Sequence, residues 1–219
     1  YEIGKVFRNE GSSASHLQEF TSIEWYSAWD SYRENLHRFR DFIESYIPHK
    51  DLYVEGEFTR YNIQYQGRYL NFTNAPVVSY RDLFITKSKA LGLERDPFEM
   101  DAKEADLFFK QNIRPSIIQP LYVIDYPSHM CPLAQRSSQD SRVAEQWQLI
   151  VEGMEIVKCY TELTDPVLQR SLLEEQLQRK NGGDEEAVAM DENFLLCMEF
   201  GMPPMSGLGM GLDRVLSLV

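Results

Sequence analysis

The sequence lacks the features of exported, membrane-spanning and disulfide-rich proteins. It contains only 3 cysteines in 219 residues, and these form neither a CxxC pair nor a Cys/His metal spacing, so a disulfide framework and a structural zinc site are not expected. It has no apolar run of about 18 residues and no charged-then-apolar leader at its start. We therefore expect a soluble protein of the cytoplasm that makes no membrane contact.

Basic residues are also scarce. The chain has 22 Lys and Arg residues against 34 Asp and Glu residues, for a net charge of −12, so a broad basic surface for nucleic acid is not expected and any RNA contact has to be local. The Gly-rich segment 206–211 lacks the lysine of a P-loop and the spacing of a Rossmann turn. Hydrophobic residues make up 43% of the chain, which is enough for one substantial core.

Hydrophobic periodicity predicts an α+β fold in which a mostly antiparallel sheet is flanked by helices. Sequence patterns predict strands at residues 1–10 and 19–26, a strand pair within residues 62–72, and a hairpin of strands 147–151 and 155–163. A short apolar run between two prolines predicts a buried strand at residues 121–126. Helical spacing predicts helices at residues 27–46, 80–91, 101–112, 166–180 and 191–200, with a final helix after residue 211.

The connections between these elements predict a single domain. Strands 1–10 and 19–26 form an antiparallel hairpin with a long mobile loop at 11–15 in this interpretation. Gln66-Gly67 and Glu152-Gly153 are expected hairpin turns, and Asn181-Gly182-Gly183 is expected to end the fourth helix. No repeat or low-complexity linker divides the chain, so residues 1–219 are expected to be one domain.

A polar site is predicted on the second strand. Period-two geometry places Phe20, Ser22, Glu24 and Tyr26 on one face and Thr21, Ile23 and Trp25 on the other. Arg8 and Glu10 of the preceding strand share a face. These residues alone allow two interpretations, a ligand site with an aromatic plate or a solvated sheet face with a surface ion pair.

Two further segments carry chemistry. On strand 155–163, Lys158, Tyr160 and Glu162 share one face. In the Gly-rich segment, glycines alternate at positions 207, 209 and 211, which would let a flat ligand approach the backbone before Arg214 emerges near a helix start.

These segments resemble two family motifs. The run Phe7-Arg8-Asn9-Glu10-Gly11, followed by His16, Glu19-Phe20-Thr21 and Glu24-Trp25-Tyr26, resembles motif 2 of the class II aminoacyl-tRNA synthetases in their lysyl form, and residues 201–214 resemble motif 3. Between them, Gln119-Pro120, Tyr126-Pro127 and Cys131-Pro132-Leu133-Ala134 resemble family elements in the same order. The resemblance covers nearly the whole chain and is weakest at residues 48–110.

The resemblance implies ATP-dependent activation of L-lysine to lysyl-adenylate and transfer to the acceptor end of tRNA. Arg8 is the implied catalytic residue, because its planar fork suits the substrate carboxylate and the α-phosphate together. The implied ATP-binding residues are Arg8, Glu10 at the adenine amino group, His16 at the terminal phosphates, and Phe20 and Arg214 on the two faces of the adenine ring.

The resemblance also implies an amino-acid pocket and a metal ligand. The implied lysine-binding residues are Glu24, Tyr26, Lys158, Tyr160, Glu162 and Gly209. Two carboxylates in one pocket require a cation, which favours lysine over aspartate or asparagine as the substrate. Glu155 would hold Mg²⁺ as a hard oxygen ligand.

The sequence departs from the lysyl pattern at two positions. Lys158 stands where the family usually has Asn; it could donate to the substrate carboxylate or pair with Glu162 and plug the pocket. Gln148 stands where a second acidic metal ligand is usual, and an amide there weakens Mg²⁺ binding. Glu152 is the carboxylate that could compensate. Strict alternation separates Glu155 from the face of Lys158, so the metal role requires a bulge between them.

We expect this chain to be a piece of a larger protein, because it lacks the motif 1 and the anticodon-binding domain that the family has before motif 2; whether the gene encodes them stays open. The resemblance also implies a homodimer. Two alternatives stay open. One is a lysyl ligase that modifies a translation factor such as elongation factor P, although such paralogues tend to carry Ala where this chain has Gly209. The other is a synthetase-like module that binds a ligand without catalysis, which Gln148 and Lys158 favour.

Overall fold

The computed structural model describes residues 1–8, 17–47, 49–54, 57–181 and 190–218. The strands are β1 (Glu2–Phe7), β2 (Glu19–Ala28), β3 (Lys50–Val54), β4 (Glu57–Tyr61), β5 (Ile63–Tyr65), β6 (Arg68–Leu70), β7 (Val77–Ser79), β8 (Leu121–Pro127), β9 (Val143–Val151), β10 (Met154–Thr161) and β11 (Met205–Gly211). The helices are α1 (Tyr32–Tyr46), α2 (Tyr80–Ala90), α3 (Ala102–Phe108), α4 (Pro166–Asn181), α5 (Glu192–Phe200) and α6 (Leu212–Leu218).

A mostly antiparallel sheet organises the molecule. Within the described ranges it has seven strands in the order β1-β2-β11-β10-β9-β8-β7, and the β7–β8 pair is parallel while the other neighbours are antiparallel. Two separate hairpins, β3–β4 and β5–β6, flank it. The predicted α+β class is confirmed, and the Gly-rich segment is revealed as the strand β11 inside the sheet.

Helix α1 begins later than the sequence pattern predicted. Residues 27–28 still belong to β2, and Trp29 then takes a φ of 67°, which turns the chain. Ser31 caps the helix, and its side chain and that of Glu34 form a capping box. The predicted start at residue 27 was wrong because extended pairing with β11 continues through Ala28.

The predicted hairpin turns are confirmed. Gln66 and Gly67 have φ values of 46° and 79°, and Glu152 and Gly153 have values of 49° and 69°. Positive φ at both central residues is the geometry that matches the twist of the flanking strands.

The predicted helix at 101–112 is shorter than expected. Helix α3 ends at Phe108, and a π-helical turn continues from Phe109–Ile113. The rings of Phe108 and Phe109 are both buried at the point where the α-helix passes into the π-helical turn. The strands β3, β4 and β7 were not predicted. The predicted loop at 11–15 and the helix stop at Gly182-Gly183 lie outside the described residues.

The two faces of the sheet are covered differently. On one face, side chains such as Trp147 and Leu149 pack against Phe39 of α1 in the main core. On the other face, Val123 and Ile150 pack beneath Phe84 of α2 in a second cluster. That second cluster covers the β8–β9 side, while the same face over β2, β11 and β10 stays open as a cavity. In the part of the chain described, no helix has both the length and the apolar character to cross a membrane.

Candidate active site

A cavity of about 560 Å³ lies over the open part of the sheet, with α6 at one end. It is lined by these predicted site residues: Arg8, Phe20, Glu24, Tyr26, Glu155, Lys158, Tyr160, Glu162, Gly209 and Arg214. Residues that are far apart in the sequence therefore converge on one concave surface, which favours the ligand-site interpretation over a solvated sheet face.

Strand register explains this convergence. Gly209 pairs with Glu24 of β2 on one side and with Lys158 of β10 on the other, and Lys158 pairs in turn with Gln148 of β9. Directly opposed residues in antiparallel strands point to the same face of the sheet. One row across four strands thus carries a carboxylate, a glycine, an ammonium and an amide.

Gly207 occupies the next row, between Tyr26 and Tyr160. A Cβ atom at Gly207 would overlap Oε1 of Glu162 and would lie 2.7 Å from Cε1 of Tyr26. A Cβ atom at Gly209 would instead meet Cγ of Glu24 at 4.0 Å as its nearest neighbour. Any larger residue at position 207 would therefore displace the carboxylate of Glu162 or the ring of Tyr26, which fill the space above the glycine.

The carboxylates at this end of the cavity repel each other. Burial, together with the charge of Glu24, raises the pKa of Glu162 to about 7. Burial and the charges of Glu162 and Glu24 also raise the pKa of the Tyr26 hydroxyl. A bound cation between the two carboxylates would relieve this repulsion.

Lys158 does not supply that cation. Across the described parts of the chain, no ion pair joins Lys158 to Glu162 or Glu24, so the arrangement in which Lys158 plugs the pocket is not seen. The Lys158 charge instead acts on the Cys131 thiol, where burial raises the pKa to about 11 and Lys158 partly offsets the rise.

The bulge that the sequence required is present. The register of β10 against β9 shifts between Glu155 and Val157. The extra residue, Ile156, brings Glu155 and Lys158 to the same cavity.

Gln148 and Glu152 are less suited to metal binding than the sequence suggested. Gln148 is outside the cavity lining, and its Oε1 accepts a 2.8 Å hydrogen bond from the Tyr126 hydroxyl. Glu152 lies in the β9–β10 turn, where its carboxylate pairs with Arg68 at 2.6 Å. The expectation that Glu152 could compensate for Gln148 was wrong, because the turn directs its side chain to a different partner.

The other end of the cavity gathers aromatic and guanidinium groups. Cζ of Arg8 lies 5.4 Å from the centroid of the Phe20 ring. Nη1 of Arg214 donates to the backbone carbonyl of Glu155 at 2.6 Å, and the Thr21 amide donates to Asp213 at 2.6 Å. Helix α6 is thus tied to both β10 and β2. The predicted nucleotide-binding residues Glu10 and His16 lie outside the described residues.

A buried polar network supports the floor of the site from the opposite face. The Trp25 indole donates to Oδ1 of Asn35 at 2.8 Å, and Nδ2 of Asn35 donates to the Ser206 hydroxyl at 3.0 Å. Asn35 and Ser206 are fully buried, and Ser206 directly precedes Gly207. Sequence analysis missed this network, although an asparagine among the apolar positions of α1 was the available signal.

A mostly antiparallel sheet with a charged cavity on one face is the arrangement of a class II tRNA synthetase domain. The family model for tRNA synthetases class II (D, K and N) matches residues 1–219, and the chain belongs to this family.

Three similar curated proteins are all lysine–tRNA ligases. The chain is 37% identical to a lysine–tRNA ligase of Chloroflexus aurantiacus over 237 residues, 36% identical to one of Dehalococcoides mccartyi over 239 residues, and 35% identical to one of Fervidobacterium nodosum over 235 residues. Each comparison covers 100% of this chain but only 47%, 46% and 45% of the respective relative. The chain therefore spans about half the length of these curated relatives.

Proposed function

We propose that this chain is the catalytic portion of a lysine–tRNA ligase, which activates L-lysine with ATP and transfers it to the acceptor end of tRNA. The observation that carries the proposal is the pair of carboxylates, Glu24 and Glu162, at one end of the cavity. Neither belongs to an ion pair within the described residues, and burial, together with repulsion from Glu24, raises the pKa of Glu162 to about 7. A substrate with a side-chain ammonium would remove that repulsion, whereas aspartate would add to it.

The rest of the amino-acid pocket suits a lysine side chain. The ammonium group has three donors, which Glu24, Glu162 and the Tyr26 hydroxyl can accept. Tyr160 lies on the same strand face as Glu162 and would pack against the methylene stem. Gly209 leaves the backbone open between the two carboxylates and Lys158, where the substrate backbone would lie.

The chemistry requires orientation more than proton transfer. The lysine carboxylate is already an anion; it attacks the α-phosphorus of ATP, a carboxylate–phosphorus bond forms, and the bond to the leaving pyrophosphate breaks. Arg8 would contact both the attacking carboxylate and an α-phosphate oxygen. Its positive charge would therefore stabilise the transition state, in which negative charge accumulates on these oxygens. A hydroxyl of the tRNA 3′ end would then attack the acyl carbon and release AMP.

Nucleotide binding in this proposal depends on the other end of the cavity. Phe20 and Arg214 would hold the adenine ring between them by stacking and cation–π contact. Glu10 and His16 keep their proposed roles at the adenine amino group and the terminal phosphates.

Magnesium fits the site only in part. When bound with ATP, it would neutralise phosphate charge. Glu155 offers one carboxylate to such an ion, but the oxygen of Gln148 already accepts from Tyr126, and the described residues contain no group of three His, Cys, Asp or Glu side chains that could hold a metal. The donor set therefore fits a nucleotide-borne ion contacted by Glu155 and does not fit a second ligand at Gln148.

The family also suggests where the complete protein acts, how it assembles and what accepts the lysyl group. We infer that the complete protein is a cytoplasmic homodimer, that residues 1–219 form one domain within it, and that the acceptor is tRNA. Gly209 supports a tRNA acceptor, since ligases that modify elongation factor P tend to carry alanine there.

ATP–pyrophosphate exchange by the full-length protein tests this function. Lysine should support exchange, while aspartate and asparagine should give only background. Greater exchange with aspartate would refute the assignment, and no exchange with any amino acid would favour the non-catalytic binding module. Adding purified tRNA or elongation factor P to the lysine reaction then identifies the acceptor.

A further inference from the structure

Lys158 is a charged side chain in the cavity that the lysine-ammonium pocket does not use. It is exposed at the centre of the cavity floor and takes part in no ion pair within the described residues. Its neighbour across the strands is Gln148, which is neutral. Lys158 therefore adds a positive charge to the part of the cavity that lies over β10, in addition to the charges of Arg8 and Arg214 at the nucleotide end.

The position of this charge distinguishes it from the ammonium pocket. Glu24 and Lys158 are separated by the strand that carries Gly209, so their backbones are about 10 Å apart at the usual spacing of neighbouring strands. A lysine substrate with its ammonium between Glu24 and Glu162 would direct its carboxylate toward the Lys158 side. The α-phosphate of ATP must meet that carboxylate, so two anionic groups would come together near Lys158.

The donor chemistry around Lys158 points the same way. Glu155 is the carboxylate available there for a divalent cation, since the side-chain oxygen of Gln148 already accepts a hydrogen bond from the Tyr126 hydroxyl. A site with one carboxylate and a neighbouring ammonium coordinates Mg²⁺ poorly, because the ammonium repels a cation and cannot act as a ligand. The same ammonium binds phosphate oxygens well.

We propose that Lys158 is a built-in counter-charge for the α-phosphate of ATP and replaces part of the charge that a divalent cation would supply. This inference rests on the proposed function, because it assumes that ATP occupies the cavity. Lys158 would bind the nucleotide before lysine arrives, and ATP binding would depend only weakly on Mg²⁺.

The test is calorimetric binding of ATP to the full-length protein, without lysine, in excess Mg²⁺ and in excess EDTA. We expect the affinity of the unmodified protein to differ by less than about fivefold between the two conditions. Lys158→Met keeps most of the stem but removes the charge, and should weaken binding in EDTA about tenfold, with a smaller loss in Mg²⁺, since hydrogen bonds to charged groups have this strength.

Three further variants make the result specific. Lys158→Arg keeps the charge and should keep most of the EDTA affinity. The double variant Gln148→Glu/Lys158→Met gains a carboxylate in place of the ammonium, and its ATP affinity should become strongly Mg²⁺-dependent. Lys110→Met makes the same chemical change on an exposed lysine that pairs with Asp106 outside the cavity, and should bind ATP like the unmodified protein.

The outcomes separate this inference from the proposed function. If the unmodified protein binds ATP only with Mg²⁺ and Lys158→Met binds ATP equally well, Lys158 is not a counter-charge and the inference is wrong. If the unmodified protein binds no ATP in either condition, the proposed function itself is wrong.

Discussion

The carboxylate of Glu162 occupies the space into which a side chain at residue 207 would project, so Glu162 and Gly207 fit together only as a pair. The glycine belongs to the middle strand of the cavity floor, and the glutamate follows the end of β10. The missing side chain at residue 207 therefore leaves room for the Glu162 carboxylate at this end of the cavity.

Gly207→Ala should disturb this fit. The new methyl group would displace Glu162 and press on the Tyr26 ring, so we expect a loss of about 1–3 kcal/mol in the free energy of unfolding, together with weaker lysine binding. Gly209→Ala is the matched control for stability, because its methyl group meets nothing closer than 4.0 Å and should change the free energy of unfolding by less than about 1 kcal/mol. Equal stability of the two variants in urea unfolding would contradict this interpretation.

Lysine affinity should depend on pH through Glu162. Burial and Glu24 raise its pKa to about 7, so the free protein binds a proton there at pH 6 that the substrate ammonium must displace. Affinity should therefore fall about 25-fold from pH 7.5 to 5.5, in step with the fraction of ionised Glu162. Calorimetry between pH 5.5 and 7.5 measures the affinity for lysine. Glu162→Gln should bind lysine more weakly and with a flatter pH profile, and an unchanged slope in that variant would assign the titration to another group.

Asn35 should be important for stability although it lies outside the cavity. Asn35→Ala would leave the Trp25 indole and the Ser206 hydroxyl without their buried partner, and we expect the free energy of unfolding to fall by about 2–3 kcal/mol. His37→Ala, an exposed change on the same helix, should stay within about 0.5 kcal/mol of the unmodified protein. Urea unfolding followed by tryptophan fluorescence compares them. Similar losses in both variants would mean that the network adds no stability.

Arg8 should affect the rate of adenylate formation rather than lysine binding. Arg8→Lys keeps a positive charge but loses the planar fork that can contact carboxylate and phosphate together. We expect the single-turnover rate to fall about 10²- to 10³-fold, with little change in lysine affinity. A variant that forms adenylate at the normal rate would remove Arg8 from the catalytic role.

Much of the sheet could be predicted because its strands have local signals. The turns at Gln66-Gly67 and Glu152-Gly153 combine residues that accept positive φ with flanking alternation, and both formed as expected. Strand β7 carries no such signal: it has three residues and is defined by parallel pairing with β8, more than 40 residues later in the chain. The start of α1 was misplaced because pairing with β11 extends β2, which periodicity alone does not show.

The site was predictable where face alternation and motif resemblance agreed. Glu24 and Tyr26 on β2, and Tyr160 and Glu162 on or just after β10, were assigned to shared faces from their spacing, and the structure brings these faces together in one cavity. The sequence could not show that Gln148 hydrogen-bonds to Tyr126 or that Glu152 pairs with Arg68. Those contacts depend on three-dimensional neighbours far away in the chain.

The central claim is that Glu24 and Glu162 together bind the ammonium group of a lysine substrate. Calorimetric comparison of L-lysine with L-norleucine, which lacks that group, tests it most directly in the full-length protein. We predict that lysine binds at least about 100-fold more tightly, as expected for an ammonium group held between two carboxylates of which one is partly buried, and that this preference largely disappears in Glu24→Gln/Glu162→Gln. Equal binding of lysine and norleucine by the unmodified protein would contradict the account.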